Sequence, residues 1–214
     1  MEDISRDVYT FPFSTCEKPR EGISQPFSAL FNVLTCSVLL FFLVQTKTFH
    51  AFMFLSFLLL FELFHTLSHT IHIPGSFLMT CTHVSGFFVN VSLLYLFYKH
   101  TGRLPPYYYF MAILGLLLAD IYAFFFLSFI YFSLTQILVF LLVLHFYYPF
   151  LSKLMQTNLF WILVSTICIY LAFLNESVNC KTMLKEYPDV PFHLIIEIIG
   201  IVPVYLISKT VYNL

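Results

Sequence analysis

Two stretches of this chain carry histidines and carboxylates at helical spacing. The first, residues 61–72, reads F-E-L-F-H-T-L-S-H-T-I-H. At about 100° per residue, Glu62, His65, His69 and His72 fall within an arc of about 80°, a single stripe on one helix. The second, P-F-H-L-I-I-E, sets His193 and Glu197 one turn apart on one face. His83 and Asp120 lie in two further apolar runs. Imidazole with carboxylate is a donor set for zinc or non-haem iron, and three protein ligands leave a position open for water. The stripe taken by itself also fits an interhelical hydrogen-bond network. Asp120 fits either a catalytic role or a pairing with a histidine or a tyrosine hydroxyl. Ser68 and Ser76 read as serines bonded to their own backbone.

The elements that must position these groups are transmembrane helices. Of 214 residues, 60% are hydrophobic and 10% charged, against about 25% charged in a soluble domain. The formal net charge of −1 offers no basic excess for a nucleic-acid backbone. A spanning helix needs roughly 20 mostly apolar residues. Runs meeting that need cover 26–46, 50–73, 77–98, 157–174 and 190–209, and residues 106–150 hold two more, split near Leu127–Ser133. The expected fold is an all-α, polytopic membrane protein: a polar N-terminal tail over 1–25, then a seven-transmembrane helix bundle over 26–214. Residues 1–25 show no apolar signal segment, so the first span is expected to serve as the insertion signal. Asn175 to Asp189 reads as the longest internal polar loop.

An odd number of spans sorts the histidines by side. His65, His83, Asp120 and Glu197 each fall on the order of 10 Å below the boundary on the N-terminal side, whereas His50, His100 and His145 fall on the opposite side. Ionisable groups in hydrocarbon are costly and cannot stay bare, and one metal ion satisfies both kinds at once. Lys and Arg divide five against five between the two sides, so the positive-inside rule leaves orientation open.

Seven spans, the dipeptide Cys16-Glu17 ahead of the first, histidines closing the second and a His-x-x-x-ligand pair opening the seventh resemble the CREST superfamily. That superfamily comprises the alkaline ceramidases, the progestin and adipoQ receptors and the Per1-type proteins. Residues 16–32, C-E-K-P-R-E-G-I-S-Q-P-F-S-A-L-F-N, are similar to the lead-in of ceramidase-like membrane hydrolases. The resemblance implies zinc held by one histidine of the second helix and two of the seventh, with a serine and an aspartate nearby. Carried over, the ligands are His69, His193 and Glu197, the last a carboxylate where the family has imidazole. Ser68 with His72 keeps the family's Ser-x-x-x-His pattern, whereas His69 keeps the depth better; Glu62 joins this candidate ligand group. The family aspartate falls near His83, with Asp120 as a substitute. The resemblance does not extend to calcium: Glu17 matches, but Ser14, Thr15, Pro19 and Gln25 replace the other ligand types. Family members also pair cysteines at the places of Cys16 and Cys180, and such a disulfide implies a lumenal or extracellular N-terminal side.

The expected activity is a zinc-dependent hydrolase of a membrane-lipid amide, in which zinc lowers the pKa of its water and polarises the scissile carbonyl. His65, His83, Asp120 and Ser68 are the candidate proton-transfer and oxyanion groups. The alternatives are a di-iron hydroxylase or oxygenase and a receptor-like or proton-relay protein without catalysis. The expected location is an endomembrane or the plasma membrane.

Overall fold

The computed structural model describes residues 16, 17, 20, 23, 25–70, 77–126, 129–212 and 214. They form the helices α1 (Pro26–Gln45), α2 (Phe49–Thr70), α3 (Phe77–Thr101), α4 (Tyr107–Phe126), α5 (Phe129–Tyr147), α6 (Lys153–Glu186) and α7 (His193–Tyr212), with a short 3₁₀ turn at Tyr148–Phe150. No β-strand occurs among the described residues, where Arg20 and Ile23 make an isolated bridge. Among the described residues five helices are long and apolar enough to cross a membrane: α1, α2, Cys81–Thr101 of α3, Lys153–Glu176 of α6, and α7. This makes the chain a multi-pass membrane protein. The apolar stretches described in α4 and α5 are shorter, Tyr107–Tyr122 and Leu134–Phe150.

Local chemistry accounts for the helix ends. Pro26 opens α1, where its missing N–H costs nothing and its φ is already helical. The Glu17 carboxylate accepts from Phe27 N at 2.6 Å and from Ser28 N, which places a negative charge at the positive end of α1. Gly102 closes α3 with φ 66°, its N–H returning to Tyr98 O at 2.8 Å, a left-handed cap that suits glycine. Ser152 caps α6 by accepting from Met155 N. The stretch 175–186, expected as a polar loop, instead continues α6 to a length of 34 residues. It carries Glu, Lys, Met and Leu, all good helix formers, and neither Gly nor Pro. The helix stops at Glu186, where Tyr187 precedes Pro188 and proline disfavours the helical region for the residue before it. At 1.5 Å per residue α6 is about 50 Å long, so its last turns stand beyond a hydrocarbon core of about 30 Å.

Helix neighbours run in the order α6, α7, α1, α2, α3, α5, α4. The apolar core, including Leu39, Phe54, Leu93, Phe97, Val143 and Tyr147, fills the half of the bundle where α1, α3, α5 and α7 end. Outward-facing Leu30, Phe41, Val44, Trp161 and Leu171 are exposed, as a lipid-facing surface requires. We call the core-rich end, where Tyr147 Oη donates to Arg103 O and Asn158 Nδ2 to Thr210 Oγ1, the far end. At the other, the site end, buried groups are polar: Glu17, Gln25, Glu62, His69, Glu176, His193 and Glu197.

Candidate metal centre

His65 and His69 are one turn apart on α2, and Glu197 reaches them from the second turn of α7. Their donor atoms lie within 4.8 Å of one another, a group able to hold a metal ion. His65 Nε2 and His69 Nε2 are 3.0 Å apart. Glu197 Oε1 lies 3.4 Å from His69 Nε2 and 3.7 Å from His65 Nε2. Ligands about 2.05 Å from a tetrahedral zinc stand about 3.3 Å from one another. The three separations bracket that figure.

His193 closes on the same carboxylate, its Nε2 3.2 Å from Glu197 Oε1. That nitrogen is buried and, among the described residues, lacks the alignment of a hydrogen bond with any partner. Three imidazoles from two helices therefore turn Nε2 toward a single oxygen.

The opposite edge of each ring is held by an oxygen acceptor. His69 Nδ1 bonds Gln25 Oε1, His193 Nδ1 bonds Glu176 Oε2 at 2.8 Å, and His65 Nδ1 faces Glu62 Oε2 at 3.5 Å. Such outer acceptors fix the tautomer of metal-binding histidines and raise their basicity. With Nδ1 protonated and donating, each neutral ring presents a lone pair on Nε2. Lone pairs 3.0 Å apart repel, as do a lone pair and a carboxylate oxygen, so this arrangement is relieved either by a proton on one Nε2, which makes the His65–His69 contact a hydrogen bond, or by a metal ion among the donors. The donor set fits a transition metal on chemistry as well as spacing.

The described residues from Cys16 to Gln25 strap the site end. Cys16 is disulfide-bonded to Cys180 of α6, with a Cα–Cα distance of 5.3 Å. Cys16 N donates to Glu176 Oε1, and Cys16 O accepts from Phe192 N at 3.0 Å, just ahead of α7. Gln25 N donates to His69 O at 3.0 Å, so Gln25 holds His69 through both its backbone and its side chain. One short segment thereby supplies an outer acceptor for His69 and anchors the one for His193.

The remaining residues singled out from sequence have other surroundings. Glu62 stands behind His65 rather than among the converging donors. Ser68 is buried and donates to His65 O. His83 is buried on α3 and is not one of the three grouped donors. Asp120 accepts from Thr135 Oγ1 at 2.7 Å and from Gln136 Nε2, and Gln136 Oε1 accepts from Asn90 Nδ2. That is a half-buried chain of polar groups joining α4, α5 and α3. His72 lies outside the described residues. His145 belongs to the far end and bonds Tyr109 Oη.

Sequence reasoning gave no role to Glu176 and no partner to Gln25. Glu176 stood at the edge of an assumed loop; a carboxylate where a span ends, on the side of the histidines, was the available signal. No family model matches the chain, and no curated protein or solved structure matches it either.

Proposed function

We propose that the chain is a seven-span, zinc-dependent membrane hydrolase acting on a lipid amide, akin to the ceramidase-like members of the CREST superfamily. The observation that carries this reading is the convergence of His65 Nε2, His69 Nε2 and Glu197 Oε1 within 4.8 Å, with the far edge of each ring occupied by an oxygen. Those three side chains are the ligands. Zinc bound there supplies a Lewis acid that acidifies water and polarises a carbonyl. His193 is the proton-transfer group: Glu176 orients its ring, and its Nε2 stands 3.2 Å from the shared carboxylate oxygen. A general base needs its nitrogen within about 3 Å of the proton it takes, directly or through one water, and this position beside the ligands meets that need. The Cys16–Cys180 disulfide favours an oxidising compartment for the site end, an endomembrane lumen or the cell exterior. A lipid of that leaflet carries its amide near the headgroup, at the depth of the second turn of α7.

Two histidines and one carboxylate are also the ligand set of mononuclear non-haem iron oxygenases, and that composition favours a second reading. Metal analysis of detergent-purified protein separates the two. The expected result is one zinc per chain, lost in His69→Ala and kept in His193→Ala, with lipid-amide hydrolysis lost in both variants. Stoichiometric iron would establish the oxygenase reading instead. Full zinc occupancy in His69→Ala would refute the centre.

A further inference from the structure

Among the described residues, two buried side-chain nitrogens lack a hydrogen bond: His193 Nε2 on α7 and Asn32 Nδ2 on α1. Asn32 is 1% exposed. A buried amide without a partner is costly inside a membrane bundle, and such a group needs a reason. Its direction on α1 supplies one. At about 100° per residue, Asn32 lies about 40° from Cys36 and, the other way, about 80° from Phe42. Cys36 Sγ faces α2, 3.5 Å from Thr66 Oγ1, whereas the Phe42 ring packs on Tyr205 and Tyr212 of α7 at 5.7 and 5.9 Å. Asn32 therefore projects into the wedge between α2 and α7, the two helices that carry the converging donors. The buried Ser28, Thr35 and Leu39 share that arc, and the exposed Leu30, Val33 and Val44 fall outside it. The depth matches too. Asn32 stands about 6 Å nearer the site end than Cys36, and on α2 His69 stands about 4.5 Å nearer than Thr66. Asn32 is about 15 Å nearer than Phe42, and on α7 Glu197 is about 12 Å nearer than Tyr205 and about 22 Å nearer than Tyr212.

We propose that Asn32 is the hydrogen-bond donor to the carbonyl oxygen of the substrate amide. The assignment rests on the hydrolase reading above and adds to it the group that receives the developing charge. When water adds to an amide carbonyl, a proton passes from the water to a base and the water oxygen bonds to carbon. The carbonyl π pair moves onto its own oxygen, and the proton then goes to the leaving amine as the C–N bond breaks. His193, with Nδ1 bonded to Glu176, presents its Nε2 lone pair for that proton. Asn32 presents an N–H for the oxygen that becomes negative. One unpartnered acceptor and one unpartnered donor at the level of the ligands are the pair this step requires. A donor already without a partner has no bond to break before it acts, as a preorganised oxyanion donor should. Gln25 and Glu176 do not fill that role, because their side-chain oxygens are engaged by His69 and His193.

Kinetics, ligand binding and stability of the detergent-solubilised chain test the assignment, with a fluorescent N-acyl sphingoid lipid as substrate. Loss of one oxyanion donor lowers kcat about 100- to 1,000-fold, so Asn32→Leu and Asn32→Ala should fall in that range at unchanged zinc content. KM should stay within about twofold, because the bond is made in the transition state. A lipid phosphonamidate, whose tetrahedral anion resembles the adduct, should bind both variants about tenfold more weakly or worse. In metal-free protein Asn32→Leu should raise the thermal midpoint by about 2–4 °C, since an apolar side chain replaces a buried donor without a partner. A lowered midpoint in Asn32→Leu, loss of zinc in both variants, unchanged kcat, or equal phosphonamidate affinity would each overturn the proposal. Zinc-loaded wild type that leaves the lipid amide intact would refute the hydrolase reading separately, and the phosphonamidate affinities and midpoints would then decide the role of Asn32 by themselves.

Discussion

Replacing Gln25 by Ala tests the link between the strap and the ion more directly than removing a ligand. The Gln25 side chain contributes Oε1 to His69 Nδ1. It makes no side-chain cap on α1, so its loss leaves that helix end as it was, and the backbone bond from Gln25 N to His69 O survives the change. What disappears is the acceptor that fixes the His69 tautomer and orientation. Loss of such an outer acceptor lowers metal affinity about 10- to 100-fold, or about 1.4–2.8 kcal/mol. Gln25→Glu keeps an oxygen in place and adds charge, so its affinity should equal or exceed that of wild type. Zinc competition against a chromophoric chelator, on protein in detergent, reads both shifts. Because Gln25 is buried, the thermal midpoint of metal-free protein should fall in Gln25→Ala, and the affinity shift is read below that midpoint. Wild-type affinity in Gln25→Ala would show that the ring needs no such support. So would an affinity loss reproduced in Gln25→Glu.

Two further outcomes follow from the same geometry. For a loop of 164 residues the chain-entropy relation gives about 5 kcal/mol. Inserted helices already confine its ends, so Cys16→Ser with Cys180→Ser should lower unfolding stability by less, about 2–4 kcal/mol. It should also weaken zinc binding, because Cys16 N anchors Glu176; denaturant titration and chelator competition measure the two effects. Asp120→Asn should leave zinc content unchanged and lower stability by about 1 kcal/mol, the scale of polar contacts between membrane helices. Loss of metal in that variant would bring Asp120 back into the site.

Where apolar runs were bounded by strong stop signals, hydropathy located the elements well. The runs 26–46 and 50–73 correspond to Pro26–Gln45 and Phe49–Thr70, whereas the split placed near Leu127–Ser133 runs too far, since α4 closes at Phe126 and α5 already begins at Phe129. Polarity misled at 175–186, because leaving the hydrocarbon does not end a helix whose residues are good formers. The site was legible as a stripe and a pair, since helical spacing alone puts Glu62, His65 and His69 on one side of α2. It could not single out ligands, because an arc of about 80° admits every member. That choice comes from tertiary placement. Glu197 meets His65 and His69 but not Glu62, and Gln25 and Glu176 arrive from 44 and 17 residues away.

The way the donors are distributed along the chain bears on its biogenesis. His65 and His69 leave the ribosome with the second helix, whereas Glu197 and His193 come only with the seventh, after the partner that clasps Cys16. A nascent chain halted before the seventh helix presents the two imidazoles without Glu197, and one halted before Cys180 also lacks the covalent clasp to Cys16. The three-donor group is thereby complete only once the last helix is made.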